Sequence, residues 1–247
     1  MLTVQSKRGH YYFSVLWHPV SRVLKFQRFV EFFESLPEGG VVLDYGAGDR
    51  PYEQMMLTKF DQYVAADYPD ANAAHGARPD IAIVDNSLEM ESESVDCVIL
   101  TEVMEHLYEP RLALEEMFRV LKPGGRIIGT VPFAMNEHEQ PYDFHRYTSF
   151  CLKQMFADAG FECVKLDYIG DTLGVATMTF SRVFGITNKA LNKLGLKPLA
   201  MLVQLVYRIP ELLYYLMLKC GLNPQRIDYY GCYPFGFAFH IQKPGSK

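Results

Sequence analysis

Short apolar runs separated by longer polar or amphipathic stretches organise the middle of the chain. The runs fall at residues 41–45, 62–66, 81–84, 95–100, 125–131 and 161–169. Each has strand length and is bounded by glycine, proline or acidic residues. Strands alternating with helical crossovers are the pattern of a parallel sheet. Before them, Pro19 to Ser35 reads as a helix with Val20, Val23, Leu24, Val30 and Phe33 on one face, ended by the Pro37–Gly40 turn. Pro110 to Leu121 reads as a second helix, its apolar positions Leu112, Leu114, Met117, Phe118 and Leu121, stopped by Lys122–Gly125. A third runs from Thr148 to Ala159 and ends at Gly160. Residues 171–230 break the alternation with an apolar helical piece, and a strand-like stretch returns at 233–242.

This gives four segments: 1–36, a helical and aromatic N-terminal piece able to act as a lid or membrane contact; 37–170, a core; 171–230, an insertion; and 231–247, the last strand and tail. Across 198–220 Gln204, Arg208, Glu211 and Lys219 are spaced to form one narrow polar stripe on otherwise apolar helices, with Pro210 starting the second of them. Such a surface must be covered by the fold, by a second subunit or by a bilayer interface. It is too interrupted to span a membrane.

Composition changes the picture in two places. The 247 residues carry a net −5, but residues 37–150 alone hold 8 basic against 21 acidic residues, while 1–30 holds five basic residues and no acid. An acidic middle with basic ends argues against a broad nucleic-acid surface and permits an anionic membrane or a phosphate-bearing partner at the ends. Residues 171–227 hold Arg182, Lys189, Lys193, Lys197, Arg208, Lys219 and Arg226 against Asp171 and Glu211, which again suits lipid headgroups. Five cysteines without a CxxC pair indicate neither a disulfide framework nor zinc, and a reducing, cytoplasmic setting is expected, peripheral to the inner face of a membrane.

The chemistry is concentrated at the carboxyl ends of the runs. Asp44, Tyr45, Gly46, Ala47 and Gly48 lead from a strand into a glycine turn where a ligand can approach the backbone. Asp67, 23 positions on and followed by Tyr68, stands where an acid takes ribose hydroxyls; Asp85 and Asn86 can meet an adenine edge; Thr101 tips the fourth strand. A nicotinamide-binding turn calls for glycine at position 51, where Pro51 stands.

With VLDYGAGD, VAADY, IVDNSLEMESESVDCVILTEVMEHL and RVLKPGGRIIGTVP, residues 36–169 resemble the class I S-adenosylmethionine-dependent methyltransferases of the type 11 group. The resemblance implies a Rossmann-like α/β fold: a seven-stranded, mostly parallel sheet with helices on both faces and a reversed last strand, here 233–242. It implies S-adenosyl-L-methionine as cofactor, with Asp44, Gly46 and Gly48 at its methionine end, Asp67 at the ribose, Asp85 and Asn86 at the adenine and Thr101 as the floor. Arg50 departs from the group, many members of which carry a glycine there. Glu105 and His106, behind the floor residue, read as supporting hydrogen-bond partners.

The loop 132–148 holds two histidines, three carboxylates and an arginine. It resembles a variant of the type 11 group in which His138, Pro141, Asp143, Arg146, Tyr147 and Thr148 match the motif. His138 is the expected base, with His145 second, and Asp143 and Arg146 either bind substrate or pin the loop. The carboxylates show no metal-ligand spacing, so no metal is expected. The variant resembles methyltransferases of cell-surface polysaccharides, which points to O-methylation of a small molecule or glycan, including a lipid-linked one. A quinone or other lipid-like acceptor is the alternative, and a non-catalytic cofactor-binding partner in membrane or assembly function lies outside the enzyme class.

Overall fold

The computed structural model describes residues 4–6, 9–11, 19–69, 79–207, 209–222 and 233–245, with the backbone alone at 4–6, 9–11, 204, 205 and 207. The aromatic and basic N-terminal positions through His18, the stripe residues Gln204 and Arg208, and Arg226 therefore lie outside the described side chains.

Strands β1 (Val4–Ser6) and β2 (Gly9–Tyr11) form an antiparallel pair, and helix α1 spans Val20–Glu34. The main sheet follows: β3 (Val41–Tyr45), short helix α2 (Glu53–Met56), β4 (Gln62–Asp67), β5 (Ile81–Val84), β6 (Ser87–Leu88) and β7 (Val95–Thr101). Helix α3 (Pro110–Val120), β8 (Leu121–Pro132), α4 (Ser149–Asp158) and β9 (Glu162–Ile169) continue it. Helices α5 (Thr172–Lys193), α6 (Lys197–Tyr207) and α7 (Ile209–Lys219) precede β10 (Gly236–Gln242).

The sheet has eight strands in the order β6-β5-β4-β3-β7-β8-β10-β9. Pairs β3–β4, β3–β7, β4–β5 and β7–β8 are parallel. The expected count of seven is exceeded by β6, a two-residue strand that folds back antiparallel on β5 through the Asp85–Asn86 turn. Both turn residues have left-handed φ, +50° and +61°, a conformation Asp and Asn tolerate better than most side chains. Reversal of β10 follows from its ends: Lys243 exchanges backbone hydrogen bonds with Gly124 and Gly125 at the start of β8, and Phe235 N–H donates to Ile169 at the end of β9.

Two details correct the expectations. Helix α3 buries Ala113, Leu114, Met117 and Val120, a spacing that lies on one helical stripe, and leaves Leu112 exposed. Its end is fixed by the Lys243 ammonium, which donates to the carbonyls of Phe118 and Leu121 at 2.9 and 2.8 Å, and not by a glycine cap. Thr148 caps α4 as the helix signal suggested, accepting from Cys151 N–H at 3.2 Å.

By internal contacts the chain divides into two compact units. One comprises Arg28–Asp167 and the stretch from Phe237; its core joins Leu43, Val98, Leu100, Ile127, Leu152 and Phe239, all fully buried. The other comprises Tyr168–Gly236 and the part of α1 before Arg28. Within it Glu211 is buried and accepts the N–H of Val20 at 3.0 Å, so a carboxylate caps the positive end of α1. Of the expected polar stripe, Glu211 is thus buried, while Lys219 is exposed and lies over the Tyr215 ring. Among the described residues no helix is long and apolar enough to cross a membrane.

Candidate active site at the strand tips

The glycine turn after β3 is held by backbone bonds from Gly46 and Ala47 N–H to the carbonyl of Ala66, at 2.8 and 3.1 Å. Gly46 has φ +76°, and a Cβ there would come within 2.5 Å of Val103, so no other residue fits. Gly48, φ +51°, opens on free space: no atom lies within 4 Å of where its Cβ would stand. Asp67, at the tip of β4, accepts from Gly48 N–H at 2.8 Å through one carboxylate oxygen and from Tyr68 N–H at 2.8 Å through the other. The turn and the acid are thus one unit built across adjacent strand tips.

Asp44 is enclosed on the same strand. It accepts a short hydrogen bond from the Tyr63 hydroxyl, and burial pushes its carboxyl up to about 7. Arg50 keeps the left-handed backbone that a glycine would supply, φ +56°, and its guanidinium turns to Asp80 at 2.7 Å and Glu53 at 3.6 Å. The departure from the group's pattern is absorbed by an ion pair at the start of β5. Further along the tips, the Tyr68 hydroxyl donates to Asn86 Oδ1 at 2.9 Å and so accepts from Tyr45, 3.0 Å away. This hydroxyl chain links the tips of β3 and β4 to the β5–β6 turn. Thr101 ends β7 opposite Thr130 of β8.

These residues fit S-adenosylmethionine. In a complex, the open backbone over Gly48 would allow close approach, the adjoining Asp67 carboxylate would take ribose hydroxyls and the Asp85–Asn86 turn would meet a base edge, in chain order along one sheet.

The second part of the site is assembled where the loops after β7 and β8 meet. The register Thr101–Thr130 sets those loops side by side. Phe144 and His145 N–H both donate to the Glu105 carbonyl, at 2.8 and 3.1 Å, and the Tyr147 hydroxyl donates to the Met104 carbonyl at 2.7 Å. The loop is thereby laid on the single 3-10 turn Met104–His106. Asp143 and Arg146 form a two-pronged ion pair, 2.6 and 2.8 Å, and this guanidinium holds the Asp143 carboxyl well below the usual range. The same carboxylate accepts His138 N–H at 2.9 Å.

The result brings three residues together. His106 Nε2 and His138 Nε2 lie 3.7 and 3.9 Å from Glu105 Oε1, a fully buried carboxylate, and the two imidazoles meet edge to face at 4.8 Å. Burial holds His106 below the ordinary histidine range. The pairing of Glu105 and His106 with His138 was not expected from sequence, since 32 positions separate His106 from His138. An acid–imidazole pair directly after one strand tip, and a histidine after the next, was the available signal. His145 does not join this group: its Nε2 faces the Tyr108 carbonyl at 3.5 Å, and its ring packs beside Tyr147.

A doubly wound sheet with a glycine turn, an acid on the next tip and a polar loop at its carboxyl edge defines a class I methyltransferase architecture. The methyltransferase-domain family matches residues 16–166, and the chain belongs to that family. It is 29% identical over 148 residues to the "probable S-adenosylmethionine-dependent methyltransferase" of Mycolicibacterium smegmatis, a stretch covering 56% of this chain and 55% of that protein. It is 31% identical over 121 residues to the tRNA (carboxymethyluridine(34)-5-O)-methyltransferase of Arabidopsis thaliana, covering 47% of this chain and 30% of the relative. The chain therefore spans about half or less of the length of the curated relatives it matches. Among solved structures, the [4+2]-cyclase SpnF superposes with a TM-score of 0.54 at 18% identity, covering 92% of this chain and 81% of its own. The Haemonchus contortus phosphoethanolamine N-methyltransferase 2 in complex with S-adenosyl-L-methionine gives 0.50 at 14%, covering 90% and 53%. These two likenesses establish the fold, and a cyclase among them illustrates that fold alone does not fix the reaction. Family membership places a methyltransferase domain at residues 16–166.

Proposed function

We propose that the chain methylates a hydroxyl oxygen of a small molecule or glycan, with lipid-linked sugars the leading class, at the Glu105–His106–His138 group. Convergence of two imidazoles and a carboxylate from the loops that follow β7 and β8 is the observation that carries this reading. S-adenosylmethionine supplies an electrophilic methyl carbon, whose bond to sulfur breaks, the pair staying on sulfur, as the bond to the acceptor oxygen forms. The residues' task is to align the hydroxyl and relieve it of its proton. The Asp143–Arg146 pair positions His138 and does not face the acceptor as a free charge. A quinone-like acceptor, the alternative, would use the same group.

The apolar helices support a second element of the reading, attachment to an anionic bilayer surface. Ile186, Leu194, Met201 and Leu213 are 60–73% exposed, and Lys189, Lys193, Lys197 and Lys219 are exposed on the same helices or the turn between them. In this division residues 37–170 and 231–247 carry methyl transfer and 171–230 carries attachment.

The test is calorimetric titration with S-adenosylmethionine and S-adenosylhomocysteine, followed by an acceptor screen beginning with lipid-linked sugars. Micromolar binding that Asp67→Ala weakens by about 100-fold, equivalent to roughly 2.7 kcal/mol of ribose and turn contacts, is expected. With a competent acceptor, His138→Ala should lower turnover by about 100-fold or more. Absence of binding to either ligand would overturn the methyl-transfer reading, and binding without turnover of any acceptor would return the non-catalytic cofactor-binding reading to the front.

A further inference from the structure

We infer that Glu105, His106 and His138 form a binding site for a divalent first-row metal ion, with zinc as the best-matched occupant, which holds the acceptor hydroxyl. The inference rests on the reading of this group as the acceptor site, and it assigns His138 to metal ligation, so that the ion and not the imidazole activates the hydroxyl.

Three features of the geometry carry it. First, one ligand atom from each residue lies within 4.8 Å of the others, and the two imidazole nitrogens stand 3.7 and 3.9 Å from the same carboxylate oxygen. Ligands bound at about 2.0–2.1 Å around a tetrahedral ion are about 3.3 Å apart, so the two histidine–glutamate spans close with a contraction of about half an ångström, and no span in the set has to close by more than about 1.5 Å. Second, both tautomers are set from outside. His106 Nδ1 lies 2.7 Å from the Tyr142 carbonyl and His138 Nδ1 lies 3.2 Å from the Asn136 carbonyl. A carbonyl can only accept, so each Nδ1 bears the proton and each Nε2, 3.7 or 3.9 Å from Glu105 Oε1, keeps a free lone pair. Histidine ligands are oriented in this way in metal sites, the far nitrogen donating to a carbonyl or carboxylate; Asp143, 3.3 Å from His138 Nδ1, adds the carboxylate. Third, the set is chemically selective. Two imidazoles and one carboxylate suit zinc, iron or manganese, whereas magnesium and calcium prefer all-oxygen shells. The histidines are 20% and 28% exposed while Glu105 is fully enclosed, so the ion would be held from below with positions open toward solvent.

Three protein ligands and an open position are the arrangement of catalytic, not purely structural, sites. An acceptor hydroxyl entering that position would bind through its oxygen and release its proton to solvent. The oxygen so activated would form its bond to the methyl carbon as the carbon–sulfur bond breaks with its pair on sulfur, leaving a neutral thioether and cancelling the alkoxide charge against that of the sulfonium.

The experiment uses tag-free protein, stripped with EDTA and titrated with cobalt(II), whose visible absorption reports ligand number and type. A one-to-one cobalt spectrum of low-coordinate, nitrogen-containing type, displaced by zinc, is expected. Glu105→Gln and His138→Ala, the second on a surface loop where folding is not at stake, should each weaken cobalt binding by more than about 100-fold, beyond the ten- to hundred-fold that outer-shell losses cost. Asp67→Ala should bind cobalt unchanged while losing S-adenosylmethionine, which separates failure of this inference from failure of the methyl-transfer reading. Equal cobalt binding by wild type and His138→Ala, or no cobalt spectrum at micromolar protein, would overturn it.

Discussion

The sheet core and the helical insertion are both rich in leucine, isoleucine and valine, yet they dispose of them in opposite ways. In the core, Leu43, Val98, Ile99, Leu100, Ile127 and Ile128 are fully enclosed by neighbouring strands and helices. In α5–α7, Ile186 and Leu194 are more than two-thirds exposed, and only a few residues such as Val175, Met178, Ala200 and Tyr214 are buried. Hydrophobicity states that a surface needs cover. Topology decides whether the chain supplies that cover, because a central strand gains partners on both faces whereas a short helical hairpin has at most one shielded side.

That contrast can be broken or sharpened at three levels. The largest effect is expected from cavity formation: Leu152→Ala, at a fully buried site of α4, should lower unfolding free energy by about 2–5 kcal/mol, while Leu213→Ala on α7 should stay within about 0.5 kcal/mol. Matched losses by denaturant titration would show that the insertion is as tightly covered as the core. The next effect is pH-dependent. Asp44 is held near 7 in the fold against an ordinary value of 3.8, so the native state keeps a proton that the unfolded chain releases. Its contribution is complete below pH 4 and is lost as pH rises through 7. Relative to Asp44→Asn, the wild type should therefore lose stability across that window, by an amount on the order of 4 kcal/mol, and then level off. A pH-independent difference, measured without added cofactor, would contradict the burial of Asp44 as the cause. The smallest effect concerns vesicles containing anionic lipid: Met201→Asp or Leu213→Asp should each reduce binding about tenfold, the worth of roughly 1.5 kcal/mol of apolar burial. Unchanged partitioning would remove the bilayer as the cover of these helices.

What the sequence disclosed followed the range of its interactions. Strands β3 and β5 have the bounds that their apolar runs suggest, and the turn from Asp44 to Gly48 lies where its glycines place it, because these features are local. Strand β6 escaped notice because two residues carry no periodicity. Spacing places Glu211 on a polar stripe but says nothing of its burial, because its partner, the N–H of Val20, stands 191 positions away. The same holds for the Glu105–His106–His138 group: the loop bonds its own amides to the Glu105 carbonyl and so brings His138 to residues 32 and 33 positions away. Arg50 shows the opposite case, in which a visible departure from a motif proves to be accommodated by an ion pair to Asp80 that the motif does not encode.

The position of β10 also bears on how the molecule comes into being. Although it follows both in the chain, it lies between β8 and β9, and its Lys243 caps the helix that introduces β8. A chain emerging from the ribosome therefore presents two unpaired strand edges throughout synthesis of α5–α7, and the sheet is closed from within only when residues 236–242 arrive. The nascent chain has reason to hold that gap open, and any segment of β-forming sequence that reaches it early competes with β10 for the same hydrogen bonds.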